Sequence, residues 1–298
     1  MSQHATIRRY TLIIEKVKTG YPSFETIKNY LHSFDFEVSA RTIQRDLEQI
    51  RQEFGIEIKY DRFRKGYCID TDNSINIESF FKFLEIVNTA SLLTQSLSES
   101  KESLKYLSFD TAGGLQGIEF IKELLKAIRE HRIITFEHVN FQTQKVKNFT
   151  LKPYLLKEYQ NRWYVVGQIA DSTDFRTFGI DRISNLMVST DVFNADKKVN
   201  PQEMFSNTIG VVYSVAPKQV VVLSFTPTQG KYIKTLPLHP SQNILIDDTN
   251  ELRISVEVTP NYELTQLILK YGNTVKVIEP QWLKEEIITQ LQMALDQY

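Results

Sequence analysis

Arg41 and Arg45 stand four residues apart, one turn of a helix, with Ser39, Thr42 and Gln44 around them. Arg62, Arg64 and Lys65 fall within four consecutive positions. Such side chains donate to phosphate oxygens and to base edges, and the start of a helix adds backbone donors of the same kind. A second group, Arg162, Tyr164, Arg176 and Arg182, combines guanidinium forks with a phenol. That chemistry holds a phosphate or carboxylate, and beside an aromatic ring it also suits a stacked base. Each group has a bland reading as well. The first can be a solvated charged face. In the second, Asp181 and Arg182 can form a local ion pair, and Trp163 next to Tyr164 reads as core.

Other chemistry is missing from the pattern. The histidines are His4, His32, His131, His138 and His239, and none has another ligand at metal spacing. Neither a nucleophile elbow, a phosphate loop nor a dinucleotide fingerprint occurs. No catalytic residue, metal or cofactor is therefore expected, and the chain is not expected to be an enzyme. The single cysteine, Cys68, cannot form an internal disulfide and fits a reducing cytosol. No run of 18 apolar residues suggests a membrane span, and the polar start is unlike a signal peptide, so a cytoplasmic protein is expected. With 298 residues and 42% hydrophobic content, two or three globular domains are expected. The net charge is −1, and residues 1–70 carry only 12 Lys+Arg against 10 Asp+Glu. Charge alone does not point to nucleic acid, so the positions of the arginines must.

Those positions depend on the elements around them. Ile7, Tyr10, Ile14 and Val17 recur at helical spacing, and Gly20-Tyr-Pro22 ends that run. Ser23 caps a second helix with Phe24, Ile27 and Leu31 inward. Ser39 caps a third, running to about Phe54, with Ile43, Leu47 and Ile50 as its buried stripe. The period then shortens to two at Ile56, Ile58 and Tyr60 and again at Tyr67 and Ile69, which predicts a β-hairpin with its tip at 61–66. Three helices and a hairpin are the layout of a winged helix-turn-helix. In it the third helix presents Arg41, Gln44 and Arg45 to the major groove and the hairpin tip touches backbone phosphate or the minor groove.

A helix over 77–97 is apolar on more than one side. It predicts burial against another helix, including one of a second subunit, with Phe81 and Leu84 on the dimer face, and a role in transmitting a signal between domains. Residues 98–117 read as a linker. A helix at 118–131 should point Ile118, Ile121, Leu125 and Ile128 inward. Five short strands follow between 132 and 192, the pattern of a small, strongly bent sheet or barrel. From 218 strands and helices alternate, which predicts an α+β sandwich.

The wording of three segments matches one family. Ser39-Ala-Arg-Thr-Ile-Gln-Arg-Asp-Leu47, with Phe54-Gly55, Tyr60 and Lys65-Gly66-Tyr67, resembles the winged helix of bacterial DeoR-type and WYL-type regulators. Pro153-Tyr-Leu155, Arg162-Trp-Tyr-Val-Val-Gly167 and Arg176-Thr-Phe-Gly-Ile-Asp-Arg-Ile183 resemble the WYL domain, with Trp163-Tyr164-Val165 in place of Trp-Tyr-Leu. Leu264–Gly272, Val275, Val277–Pro280 and Trp282-Leu283 look like the C-terminal extension that follows such domains. The resemblance implies an α+β multidomain chain: a winged helix over 1–70, a helical linker over 71–117, a Sm-like β-barrel over 118–195 and a ferredoxin-like extension over 196–298. It implies that Ser39, Arg41, Thr42, Gln44, Arg45, Arg62, Arg64 and Lys65 face DNA, while Asp46 holds local structure. It places His138, Tyr164, Arg176 and Arg182 at an effector site, with Gly179 where a larger or basic residue is common.

The expected function is a DNA-binding transcription regulator. Its partners would be double-stranded DNA, a second copy of itself, and an effector that is a nucleotide, a single-stranded nucleic acid or another anion. The alternative is a nucleic-acid or nucleotide sensor serving a stress or defence system.

Overall fold

The computed structural model describes residues 3–74, 77–99, 116–141, 143–201 and 203–298. The chain divides into two compact units, residues 1–111 and 112–298. Most of the expected linker, 100–115, lies outside the described residues. No helix among the described residues is long and apolar enough to cross a membrane.

In the first unit, α1 (Gln3–Lys18), α2 (Phe24–His32) and α3 (Ala40–Phe54) precede an antiparallel hairpin of β1 (Ile58–Asp61) and β2 (Gly66–Ile69), and α4 (Ile77–Glu99) follows. The Ser23 and Ser39 hydroxyls accept from the Thr26 and Thr42 backbone N–H groups, satisfying donors that helix starts leave open. Gly55, at φ 67°, ends α3 in the left-handed conformation that suits glycine. Ile13, Ile14, Ile27, Leu31, Ile43, Ile50 and Ile56 form the core of this unit.

Two expectations need correction here. On α3 the fully buried positions are Ile43, Asp46 and Ile50, while Leu47 is only half-buried. On α4, Leu84 and Phe80 are buried in the core of their own unit, and Phe81 packs at its margin under the Lys18 ammonium, 3.9 Å from the ring centre. Among the described side chains, α4 leaves the apolar Phe83 and Ile86 exposed. A helix that is apolar on two sides does not reveal from its sequence which side its own domain takes.

The second unit opens with a 3-10 turn at Ile118–Phe120 and α5 (Ile121–Arg129). Strands β3 (Arg132–Val139), β4 (Val146–Tyr159), β5 (Arg162–Ile169), β6 (Phe175–Gly179) and β7 (Ile183–Val192) form an antiparallel sheet in the order β6-β5-β4-β3-β7. A second antiparallel sheet joins β8 (Gln219–Phe225), β9 (Asn243–Asp247), β10 (Leu252–Val258) and β11 (Val275–Glu279) in the order β11-β8-β10-β9. It packs with α6 (Pro227–Thr235), α7 (Tyr262–Lys270) and α8 (Gln281–Leu295) around Val221, Leu223, Ile254, Val256, Leu264, Ile268 and Leu283. The whole is a mixed α+β chain with several antiparallel sheets.

The buried face of α5 is Leu124 and Ala127, whereas Ile118 and Leu125 are exposed. Of the expected inward set, Ile121 packs against the core and Ile128 is half-buried, so the set holds at two positions and fails at Ile118 and Leu125. The segment starts as a 3-10 turn, with three residues per turn, so counting by 3.6 from Ile118 accumulates the wrong angle.

Pairing shifts by one residue in β4, between Pro153 and Leu155, leaving Tyr154 unpaired against β5. Such a bulge bends a strand and exchanges the faces of everything beyond it. Up to Pro153 the odd positions lie with the core side of β5; after the bulge Leu156 pairs with the buried Val165. Lys157 and Tyr159 are thereby moved to the other face, alongside Tyr164 and Arg162.

Candidate functional site

The first candidate is the outer face of α3. Arg41, Gln44 and Arg45 are exposed, and neither arginine forms an ion pair among the described residues. Ser39 is exposed, and its hydroxyl lies 2.9 Å from that of the half-buried Thr42. Both hydroxyls sit at the capped end of the helix, where backbone N–H groups also point outward.

The inner face of α3 is anchored by charge. The Arg9 guanidinium of α1 grips the Asp46 carboxylate with two hydrogen bonds, Nε to Oδ2 at 2.5 Å and Nη2 to Oδ1 at 2.8 Å. Both side chains are almost fully buried. That hydrogen bond is the main reason the Arg9 pKa is raised above its ordinary value. Asp46 therefore holds structure and presents no bare negative charge beside the helix surface. The sequence reading missed Arg9. Its signal was a charged residue on the face of α1 that also carries Ile13, matched by an acid on the buried stripe of α3.

The hairpin tip stands on firm ground. The Tyr67 N–H donates to the Pro22 carbonyl at 2.9 Å. A Cβ at Gly66 would lie 2.1 Å from the Tyr21 carbonyl oxygen, so the hairpin and the α1–α2 connection approach as closely as glycine allows. The Arg64 guanidinium covers the Tyr21 ring at 4.3 Å. Arg62, Arg64 and Lys65 are all exposed and form no ion pair among the described residues.

The second candidate lies where β6 runs into the 3-10 turn Ile180–Arg182. Asp181 sits between two arginines, with Arg162 Nη1 at 3.4 Å and Arg182 Nε at 3.7 Å. The Arg182 guanidinium lies 5.2 Å from the centre of the Phe141 ring. Gly179 makes room for this arrangement, because a Cβ there would sit 2.5 Å from Asp181 Oδ1 and 2.9 Å from Arg182 Nη2. Tyr164 pairs directly with Gly179, so the two share a face.

Burial raises the Tyr164 phenol pKa; Asp181 and Glu263 push the same way, and Arg162 and Arg182 oppose them. Burial, then Glu263 and Tyr164, raise that of Tyr159. His138, edge-on to Phe149 and Phe178, is held below the usual histidine range by burial first and by Arg182 second. Its imidazole is thus neutral near pH 7. Four buried polar atoms in this unit have no hydrogen-bond partner among the described residues: His138 Nε2, Thr177 Oγ1, Arg182 Nε and Glu263 Oε2. Buried polar atoms are normally paired, and orphans of this kind suit a ligand.

Two of the four expected effector residues, Tyr164 and His138, thus each come within electrostatic reach of a third, Arg182. Arg176 does not join them. It pairs with Gly167, three positions from Gly179 along β6, and so lies on the opposite face of that strand from the Tyr164 and Gly179 pair. Sequence reading missed Tyr159, Phe141 and Glu263. The bulge in β4 brings in Tyr159, and α7, far along the chain, brings in Glu263. No local pattern signals either one.

The low pKa of His138 has a consequence for stability. The unfolded imidazole takes up a proton as pH falls through about 6.5, while the folded one resists until lower pH. The contribution of His138 to the stability of the second unit is therefore fully present above about 6.5 and is lost as pH drops below it. Urea unfolding at pH 7.5 and 5.5 should show this loss, and His138→Gln should reduce it. An unchanged pH profile in that variant would contradict the assignment.

Residues 119–188 match the WYL domain and residues 217–295 the WCX domain. No curated protein matches the chain. Among solved structures it is similar to proteasome accessory factor B/C (PafBC) of Arthrobacter aurescens, at 20% identity and a TM-score of 0.33, over 99% of this chain and 47% of that one. The chain thus spans about half the length of PafBC. It is also similar to a protein described as CRISPR Cas-related, at 13% identity and a TM-score of 0.41, over 99% of this chain and 85% of that one.

Proposed function

We propose that this chain, which carries a WYL domain followed by a WCX domain, is a DNA-binding transcription regulator whose WYL domain senses an anionic effector. In this reading residues 3–70 are a winged helix, the five-stranded sheet is a small Sm-like barrel, and the C-terminal sheet with its helices is a ferredoxin-like extension. Regulation, not catalysis, is the activity. The observation that carries the reading is the two-sided character of α3. Its inner face is pinned by Arg9–Asp46, while Arg41, Gln44 and Arg45 stand exposed on its outer face, the arginines without ion-pair partners among the described residues. A helix held in one orientation with uncommitted donors outward is what major-groove reading requires.

One such helix contacts few base pairs. Two copies acting as a homodimer add a second half-site, and the exposed Phe83 and Ile86 of α4 are the surface proposed to bring them together. The effector is a nucleotide, a single-stranded nucleic acid or another anion held by Arg182 beside Tyr164 and His138. Binding changes the affinity for duplex DNA to the extent that the effector prefers one arrangement of the dimer.

The test is selection from a random duplex pool by the full-length protein and by Arg41→Ala/Arg45→Ala. The expected result is a dyad-related motif for the wild type. The double variant should lose about a hundredfold or more in affinity for the selected duplex, since each base or phosphate contact is worth about 1–3 kcal/mol. Equal, unselective binding by both proteins would overturn the reading. The Phe141 ring against Arg182 also favours a second one, in which the WYL domain's capture of nucleotides or single strands is itself the output and the chain serves a stress or defence system as a sensor.

A further inference from the structure

The tip of the β1–β2 hairpin carries an aromatic side chain that the fold does not use. Phe63 is 94% exposed, between Arg62 and Arg64 and two residues before Lys65. Its position is fixed. Asp61 Oδ1 accepts from the Phe63 N–H at 2.8 Å and from the Arg64 N–H at 3.0 Å, which closes the turn. Below it, Tyr60 and Tyr67 pack edge-to-face across the two strands, 5.2 Å between ring centres. Arg64 is drawn back over Tyr21, and Gly66 locks the hairpin against the same residue. The turn thus holds out one phenyl ring on a rigid stem with cations on both sides.

We propose that Phe63 is a wedge that enters the minor groove and partly opens one base step beside the segment read by α3. This rests on the reading of the first unit as a duplex-binding domain and adds to it a residue that senses DNA deformability. The charge around the ring selects the occupant. Arg62 and Lys65 complement the phosphate rows on the two sides of a minor groove. A single ring is too small for the contiguous apolar patch that marks a protein interface or a lipid surface. One inserted side chain is enough to unstack a step and bend the duplex. Pyrimidine–purine steps open most easily, so the wedge confers a preference at a position that makes no base-edge hydrogen bond.

The experiment selects duplexes from a random pool with the full-length wild type, Phe63→Ala and Phe63→Leu, then measures affinity and end-to-end energy transfer on the wild type's best duplex. Phe63 is outside the core, so these variants keep the fold. The expected wild-type result is the α3 motif plus a TA or CA step at a fixed spacing, on a bent duplex. Phe63→Ala should keep the α3 motif, lose the step preference and the bend, and bind about tenfold more weakly. Phe63→Leu should retain step and bend, because an aliphatic wedge also unstacks. The proposal is overturned if Phe63→Ala selects, binds and bends like the wild type. It is equally overturned if that variant halves the mass of the DNA-free protein, since the ring would then join two copies. If the wild type selects no motif at all, the duplex-binding reading itself fails and takes the wedge with it.

Discussion

Asp46→Ala is expected to lower the stability of the N-terminal unit by about 3–5 kcal/mol. The substitution takes from the buried Arg9 guanidinium the carboxylate it grips, and breaking one side of a buried pair costs far more than the pair contributes. For a domain whose total stability is of the order of 5–15 kcal/mol, this is a large share. In a thermal scan the transition of this unit should fall by more than about 10 °C. Two companions identify the cause. Arg9→Met/Asp46→Leu removes both charges and should recover most of the loss, because apolar side chains of similar bulk can replace a buried pair. Arg45→Ala, on the exposed face of the same helix, should stay within about 0.5 kcal/mol of the wild type. A thermal transition unmoved by Asp46→Ala would mean that the pair does not anchor α3.

Arg182→Ala is expected to remove anion binding by the WYL domain while leaving duplex binding through α3 intact. Losing a half-buried guanidinium that meets an anion costs about 2 kcal/mol or more, or about thirtyfold in affinity. Suitable probes are a short single-stranded DNA and a nucleoside triphosphate, titrated separately against the full chain. Gly179→Ala should give an intermediate loss, because its methyl group displaces the Arg182 guanidinium, a flexible group 2.9 Å from the added carbon. Arg176→Ala should change little, because Arg176 faces away from Tyr164. If Arg176→Ala weakens binding as much as Arg182→Ala, the site lies on the other side of the sheet. Loss of single-strand binding with duplex recognition unchanged would favour the regulator reading with a nucleic-acid effector. Loss of single-strand binding in a chain that never selects a duplex would favour the sensor reading.

The elements of this chain were readable wherever local chemistry decides them. Ser23 and Ser39 announce helix starts, and the change from period 3.6 to period 2 after Phe54 announces the hairpin. Strand positions in the second unit followed from alternation in the same way. The errors concern which way an element faces. The 3-10 turn at the start of the second unit leaves Ile118 exposed, and α4 buries Leu84 in its own unit. Site residues divide along the same line. Arg182 and Tyr164 were visible as types in a strand pattern. Their separation from Arg176 needed the pairing of β5 with β6, which no single strand encodes. Arg9 was hidden because a charge on a buried face makes sense only once its partner's helix is seated against it.

The bulge in β4 also bears on how this sequence can drift. Neutral substitutions accumulate at outward positions, and along an unbroken strand these alternate without interruption. Here the alternation is cut at Tyr154, where odd positions stop facing the core and even ones begin. A one-residue deletion at the bulge would make the pairing regular and remove the bend, yet leave Leu156 opposite Val165 and Lys157 opposite Tyr164. The two halves of β4 are therefore separate mutational neighbourhoods, and a lineage can vary the segment after Pro153, and with it the surroundings of Tyr164, without disturbing the half that pairs with β3.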